Sequence, residues 1–94
     1  MNNPGSLEEF RQSPLVQGCD EVREREWPAS TVLAEHAHPF AARALVVRGE
    51  MWLRIGDLPE QHLRAGDTFE VGRGVTHAER YGPEGATFWV GRFR

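Results

Sequence analysis

An all-β sandwich or barrel is the fold class this sequence predicts, and three features predict it. About eight short runs rich in β-branched, aromatic and alternating apolar residues follow one another, Gly and Pro break the chain between them, and hardly any stretch carries a helical period. No solenoid repeat or low-complexity tract competes with that reading. Closing the strands antiparallel would remove most exposed edges and line the interior with every second residue.

The chain opens on Met1 to Gly5, a polar start that reads as disordered. Ser6 followed by Leu7, Glu8, Glu9 and Phe10 predicts a helix N-cap with Glu9 at the third helical position, a capping-box pattern. Pro14 keeps that helix short. From Gly18 to Trp27 the run DEVREREW alternates, with Val22, Glu24 and Glu26 on one face and Glu21, Arg23, Arg25 and Trp27 on the other. So little apolar content marks an edge strand, or one lent to a partner.

Pro28 to Ser30 form the next break, and a strand carrying His36 and His38 follows. Beyond Pro39 and Phe40, Arg43 to Arg48 forms a β run closed by Gly49. Met51, Leu53 and Ile55 then alternate with Trp52 and Arg54, and Gly56-Asp57 turns the chain toward a short strand at Gln61 to Leu63. Gly66-Asp67 turns again into Thr68 to Val71. Gly72 to Gly74 connect tightly to Val75 through Tyr81, and Gly82, Pro83 and Gly85 lead into the last strand, Ala86 to Phe93. The organisation expected is an N-terminal tail and short helix over residues 1–19 and a β-barrel over residues 20–94.

Ninety-four residues make one domain, near the lower comfortable size for a single core. The net charge of -3 rests on 14 acidic and 11 basic residues, every basic one an arginine. No basic stripe emerges, which argues against nucleic acid as the main partner. Cys19 is the single cysteine, so an intramolecular disulfide and a Cys-rich zinc site are both excluded. No apolar run reaches the roughly 20 residues of a membrane span, and no signal-like start is seen, so a soluble cytoplasmic protein is the expectation.

The chemistry lies in two pairs. Residues spaced by one share a face of a strand, so His36 and His38 form a candidate metal-ligand pair. On that alternation Val32 and Ala34 share the imidazole face, while Leu33, Glu35 and Ala37 face away. Two imidazoles rarely complete a divalent-metal shell, and His77 with Glu79 supplies a second pair on a later strand. Tyr81 falls on the same face and could donate a hydrogen bond to a substrate or to Glu79. Glu79 could instead pair with Arg43 or Arg92, and the histidines could line an interior without metal. His62, among polar residues, reads as a surface histidine. Phe40, Met51, Trp52, Phe69, Phe88 and Trp89 read as core or pocket walls.

These residues resemble the two motifs of the cupins. In the first motif His36, His38 and Gly49 fit, with Ser30 at the leading glycine. Gly66, Gly74 and His77 fit the second, with Gly72 where proline is usual and Tyr81 where asparagine is. The motifs cover Ser30 to Tyr81, about half the chain. Where many cupins carry a glutamate ligand this chain has Ala42, beside Arg43. The H-x-E pattern of His77 and Glu79 is similar to that of the pirin branch, in which such a glutamate binds the metal.

The resemblance implies an antiparallel double-stranded β-helix, the jelly-roll cupin barrel, and a divalent transition metal held by His36, His38, His77 and Glu79. The donor set suits Fe, Mn, Ni, Zn or Cu, and an octahedral ion would keep two positions for water, substrate or dioxygen. Glu79 and Tyr81 are the candidate catalytic groups, Glu79 as an alternative general base. Oxygenase or isomerase chemistry on a small organic molecule is one expectation, and a non-catalytic binding or sensing module is the other. A homodimer is expected because the DEVREREW strand offers unpaired backbone groups.

Overall fold

The computed structural model describes residues 4–94; of the disordered start expected over Met1 to Gly5, residues 1–3 lie outside them, while Gly5 is tied to Glu9 through its N–H. One short helix precedes six strands: α1 (Leu7–Arg11), β1 (Glu21–Trp27), β2 (Val32–His36), β3 (Ala41–Ile55), β4 (Gln61–Arg64), β5 (Thr68–Val71) and β6 (His77–Phe93). All strand pairings are antiparallel. Alternating residues and Gly/Pro breaks do produce the all-β architecture.

Six strands stand where about eight were expected, because two of the expected breaks are bends within continuous strands. β3 and β6 pair along nearly their whole lengths, from Ala41 opposite Phe93 to Ile55 opposite His77. The register shifts around Gly49, which pairs with Ala86. Gly49 and Gly85 both have positive φ, 75° and 72°, and a Cβ on Gly49 would sit 2.1 Å from the Gly85 carbonyl oxygen. Only glycine permits both the conformation and the approach, so the two strands bend together at a corner instead of ending there.

The bend divides the sheet into two layers that share β3 and β6. β1 and β5 flank their halves nearer Ala41 and Phe93, while β2 and β4 flank the halves nearer Ile55 and His77. The inner faces of both layers meet in one core, with Val46, Met51, Leu53, Phe69, Phe88 and Val90 all buried. Phe69 and Phe88 meet edge to face with ring centroids 5.2 Å apart. Alternation puts Leu45 and Trp89 on the opposite, outer face of the first layer.

The N-terminal segment covers that outer face. Ser6 caps α1, its side-chain oxygen accepting from the Glu9 N–H at 3.1 Å, and a Glu9 carboxylate oxygen accepts from the Gly5 N–H at 3.0 Å. Phe10 is then fully buried against Trp89, with ring centroids 5.9 Å apart, and Val16, the last residue of a 3-10 turn at Pro14–Val16, joins the same cluster. Gly91 makes room for it, since a Cβ there would lie 2.5 Å from a Val16 methyl. The expected core role of Trp89 is therefore met on the outside of the barrel under the helix. Trp52 does not line the interior; it lies on the outer face of the other layer, between the His62 ring at 4.4 Å and the Arg80 guanidinium at 4.1 Å.

Candidate metal centre

Three imidazoles gather where β2 ends against the start of β6. His36 and His77 are register partners, and their ring centroids lie 4.2 Å apart. His38 lies just past β2, 4.9 Å from His36 and 5.3 Å from His77 between ring centroids. Its carbonyl oxygen accepts the Gly74 N–H at 2.8 Å, which ties the first histidine segment to the turn before β6. One nitrogen from each ring falls within 4.8 Å of the other two, an arrangement that could hold a metal ion.

Strict alternation along β2 fails in one respect. The pairing slips between Leu33, opposite Glu79, and His36, opposite His77, so three residue steps on β2 match two on β6. This bulge turns both Leu33 and His36 inward. Leu33, expected to face away, packs against the core, and Val32, expected beside the imidazoles, borders the same cavity as they do while 73% exposed. Glu35 does face away and pairs with Arg54 at 3.0 Å.

Backbone carbonyls set the rings. The His36 Nδ1 donates to the Ala34 carbonyl at 2.8 Å, and the His77 Nδ1 donates to the Val75 carbonyl at 3.0 Å. In its neutral form a ring so held presents a lone pair on Nε2, the form a metal requires. Both Nε2 atoms face the same oxygen, Glu79 Oε2, at 3.4 Å from His36 and 3.5 Å from His77. With both rings neutral, these converging electron-pair donors repel one another unless a cation lies among them. Ligand atoms about 2.1 Å from a common centre are about 3.4 Å apart at tetrahedral angles, so the spacing fits a shared ion.

Glu79 is 9% exposed and His77 4%. The other carboxylate oxygen, Oε1, accepts the Tyr81 hydroxyl. Tyr81 is itself 4% exposed and stacks on Trp27 with ring centroids 5.6 Å apart. Burial, followed by the neighbouring Glu79 charge and that hydrogen bond, raises the Tyr81 pKa, so the phenol stays protonated as a donor. Neither arginine considered as a partner for Glu79 pairs with it: Arg43 pairs with Glu70 at 3.7 Å and Arg92 with Glu21 at 3.2 Å. His38 stacks on Phe40 at 4.9 Å, and its pKa is lowered by burial first and by the His36 and His77 charges next.

The imidazoles and Glu79 open onto a cavity of about 590 Å³. Its walls are largely apolar, from Leu33, Phe40, Phe69, Val71, Phe88 and Val90, and Arg25 and Arg92 add positive charge. Ala42 lies in the wall, so the position where a glutamate was looked for does face the cavity but brings only a methyl group. His62 lies apart on the outer face, hydrogen-bonded to Glu50 at 2.7 Å. Arg25 is the lining residue that sequence reasoning passed over; its place on the Trp27 face of the first strand was the available signal.

No family model matches the sequence, and no curated protein matches it. Solved structures do. The DMSP lyase DddQ from Ruegeria pomeroyi superposes with a TM-score of 0.72 at 22% identity, over 78% of this chain and 37% of that one. An RmlC-like cupin from Shewanella frigidimarina gives 0.66 at 23% identity, over 78% of this chain and 65% of that one. An uncharacterized conserved protein with a double-stranded β-helix domain from Klebsiella pneumoniae gives 0.66 at 27% identity, over 77% and 64%. The chain thus spans just over a third of the lyase and just under two thirds of the other two.

Proposed function

We propose that this chain, whose fold is that of the cupins, holds one divalent transition metal through His36, His38, His77 and Glu79 and binds a small organic molecule in the adjoining cavity. The observation that carries this reading is the convergence of two Nε2 atoms on one oxygen of Glu79, with the third imidazole alongside. The carbonyl-bound Nδ1 atoms of His36 and His77 support it, because they orient both rings for ligation.

The proposed activity is oxygenation or isomerisation of the bound molecule. A metal in the site would supply Lewis acidity toward an oxygen donor of the substrate. The chain's residues hold that molecule between aromatic walls and keep the Glu79 carboxylate fixed. Tyr81 does not line the cavity, and its proton is engaged by Glu79, so it is a positioning residue for that carboxylate.

That same engagement favours a second reading, a non-catalytic binding module, since one of the two candidate proton-transfer groups is turned away from the cavity. Elemental analysis of untagged protein purified without added metal tests the metal. About one equivalent in the wild type and little in His77→Ala is expected, and equal content in both overturns the ligand set. Aerobic incubation of the loaded protein with small organic acids separates the two readings: consumption supports an enzyme, and recovery of bound but unchanged compound supports a binding module. We extend the proposal to a homodimer through β1, which among the described residues pairs only with β6 and leaves its other edge open. Light scattering tests that, a monomeric mass being the contrary result.

A further inference from the structure

We infer that the cavity selects a molecule bearing a carboxylate, and that Arg25 is the residue that receives it. The inference deepens the proposed function and rests on the cavity being a ligand site. Register fixes where Arg25 points: it lies opposite Phe88 on β6, whose side chain is in the core, so Arg25 shares the inner face of β1 with Trp27. The guanidinium packs over the Trp27 ring, 4.9 Å from its centroid, on the cavity wall.

Charge pairing sets Arg25 apart from the other cation on that wall. Arg92 is held by Glu21 at 3.2 Å and covers the Phe40 ring at 4.6 Å. Glu21 also takes Arg23 at 3.4 Å and Arg94 at 3.9 Å. Arg25 forms no ion pair among the described residues, although it is partly buried. The acidic residue on the cavity wall, Glu79, already accepts from Tyr81 and faces two imidazoles. A guanidinium with its planar fork unoccupied, stacked on an aromatic ring beside apolar walls, suits the bidentate capture of a carboxylate whose organic part fills the cavity. Stacking on Trp27 limits the fork's freedom, which lowers the entropy lost on binding.

Phenylacetate and its neutral isostere phenylacetamide provide the test, titrated into zinc-loaded and chelator-stripped protein and followed by the tryptophan fluorescence and the Arg25 Nε–H resonance. The acid is expected to bind at least about tenfold tighter than the amide in both preparations and to shift that resonance. Arg25→Gln should abolish the preference, and Arg25→Lys should keep part of it, which separates loss of charge from loss of fold. Equal affinity for acid and amide, binding of neither, or a preference that survives Arg25→Gln but is lost in Arg92→Gln would overturn the assignment. Zinc affinity, measured on the same samples, stands apart: absence of zinc binding with the acid preference intact would overturn the metal reading alone.

Discussion

The Tyr81 hydroxyl donates to one oxygen of Glu79 while the other oxygen of the same carboxylate faces the Nε2 atoms of His36 and His77. One side chain thus joins the packed core to the imidazole cluster. Tyr81→Phe deletes only that donor. It should lower stability by about 1.5–3 kcal/mol, the range for a hydrogen bond to a charged group. It should also weaken zinc affinity by about 10–100-fold, as expected when a ligand loses its orienting partner. Urea unfolding and competition with a chromophoric chelator would read the two effects, and an unchanged zinc affinity would separate Tyr81 from the site.

His38 gives the metal-free protein a defined acid response. Its pKa lies below the usual 6.5, chiefly through burial, so below that pH the unfolded chain binds a proton that the folded chain resists. Stability that is full above pH 6.5 should therefore fall as pH drops through the folded-state value, and level off beneath it. His38→Gln should reduce the slope. Thermal melts of chelator-treated protein between pH 7.5 and 5 (a range of roughly one to two units on either side of an ordinary imidazole pKa) would show an identical slope in both proteins if the account were wrong.

The corner between the layers depends on Gly49. Gly49→Ala meets both the positive φ and the Gly85 carbonyl, whereas Gly18→Ala, at φ 84°, meets nothing within 4 Å. The control should cost about 1–2 kcal/mol, the price of left-handed backbone. Gly49→Ala should cost clearly more or prevent folding. Equal urea midpoints for the two variants would rule out a close approach at the corner.

Phe10 tests whether the N-terminal helix belongs to the folding unit. Truncating this fully buried ring from its contact with Trp89 in Phe10→Ala should cost about 3–5 kcal/mol. A loss under about 1 kcal/mol would mean that the segment is only loosely attached.

Much of this was legible in the residues. The spacing of His77 with Glu79 needs only strand alternation to put both on one face, the Ser6–Glu9 pattern carries its own cap chemistry, and His36 and His38 reach one site although His38 lies past the end of β2. What alternation cannot reveal is a bulge: the slip between Leu33 and His36 turns Leu33 inward without any Gly or Pro to mark it. The corner misleads in the opposite way. Gly49, Gly82, Pro83 and Gly85 carry the residue types of strand ends, yet β3 and β6 continue past them: pairing stops at Gly49 opposite Ala86 and resumes at Met51 opposite Tyr81, with Gly82 to Gly85 bulging out between. Trp89 belongs with Phe10 and Trp52 with His62 and Arg80 for a related reason, since a sheet with a covered or stacked outer face places large aromatics on both sides. The place of Arg25 on the cavity wall depends on β1 lying against β6, with Arg25 opposite Phe88, a pairing that only the folded register creates.

X-ray absorption at the zinc edge, on protein loaded with one equivalent, addresses the central claim most directly. The account predicts a first shell at about 2.0–2.2 Å containing three imidazole nitrogens and at least one carboxylate oxygen, with one nitrogen lost in His77→Ala. A shell of water oxygens, or one with fewer than three imidazoles in the wild-type protein, would contradict it.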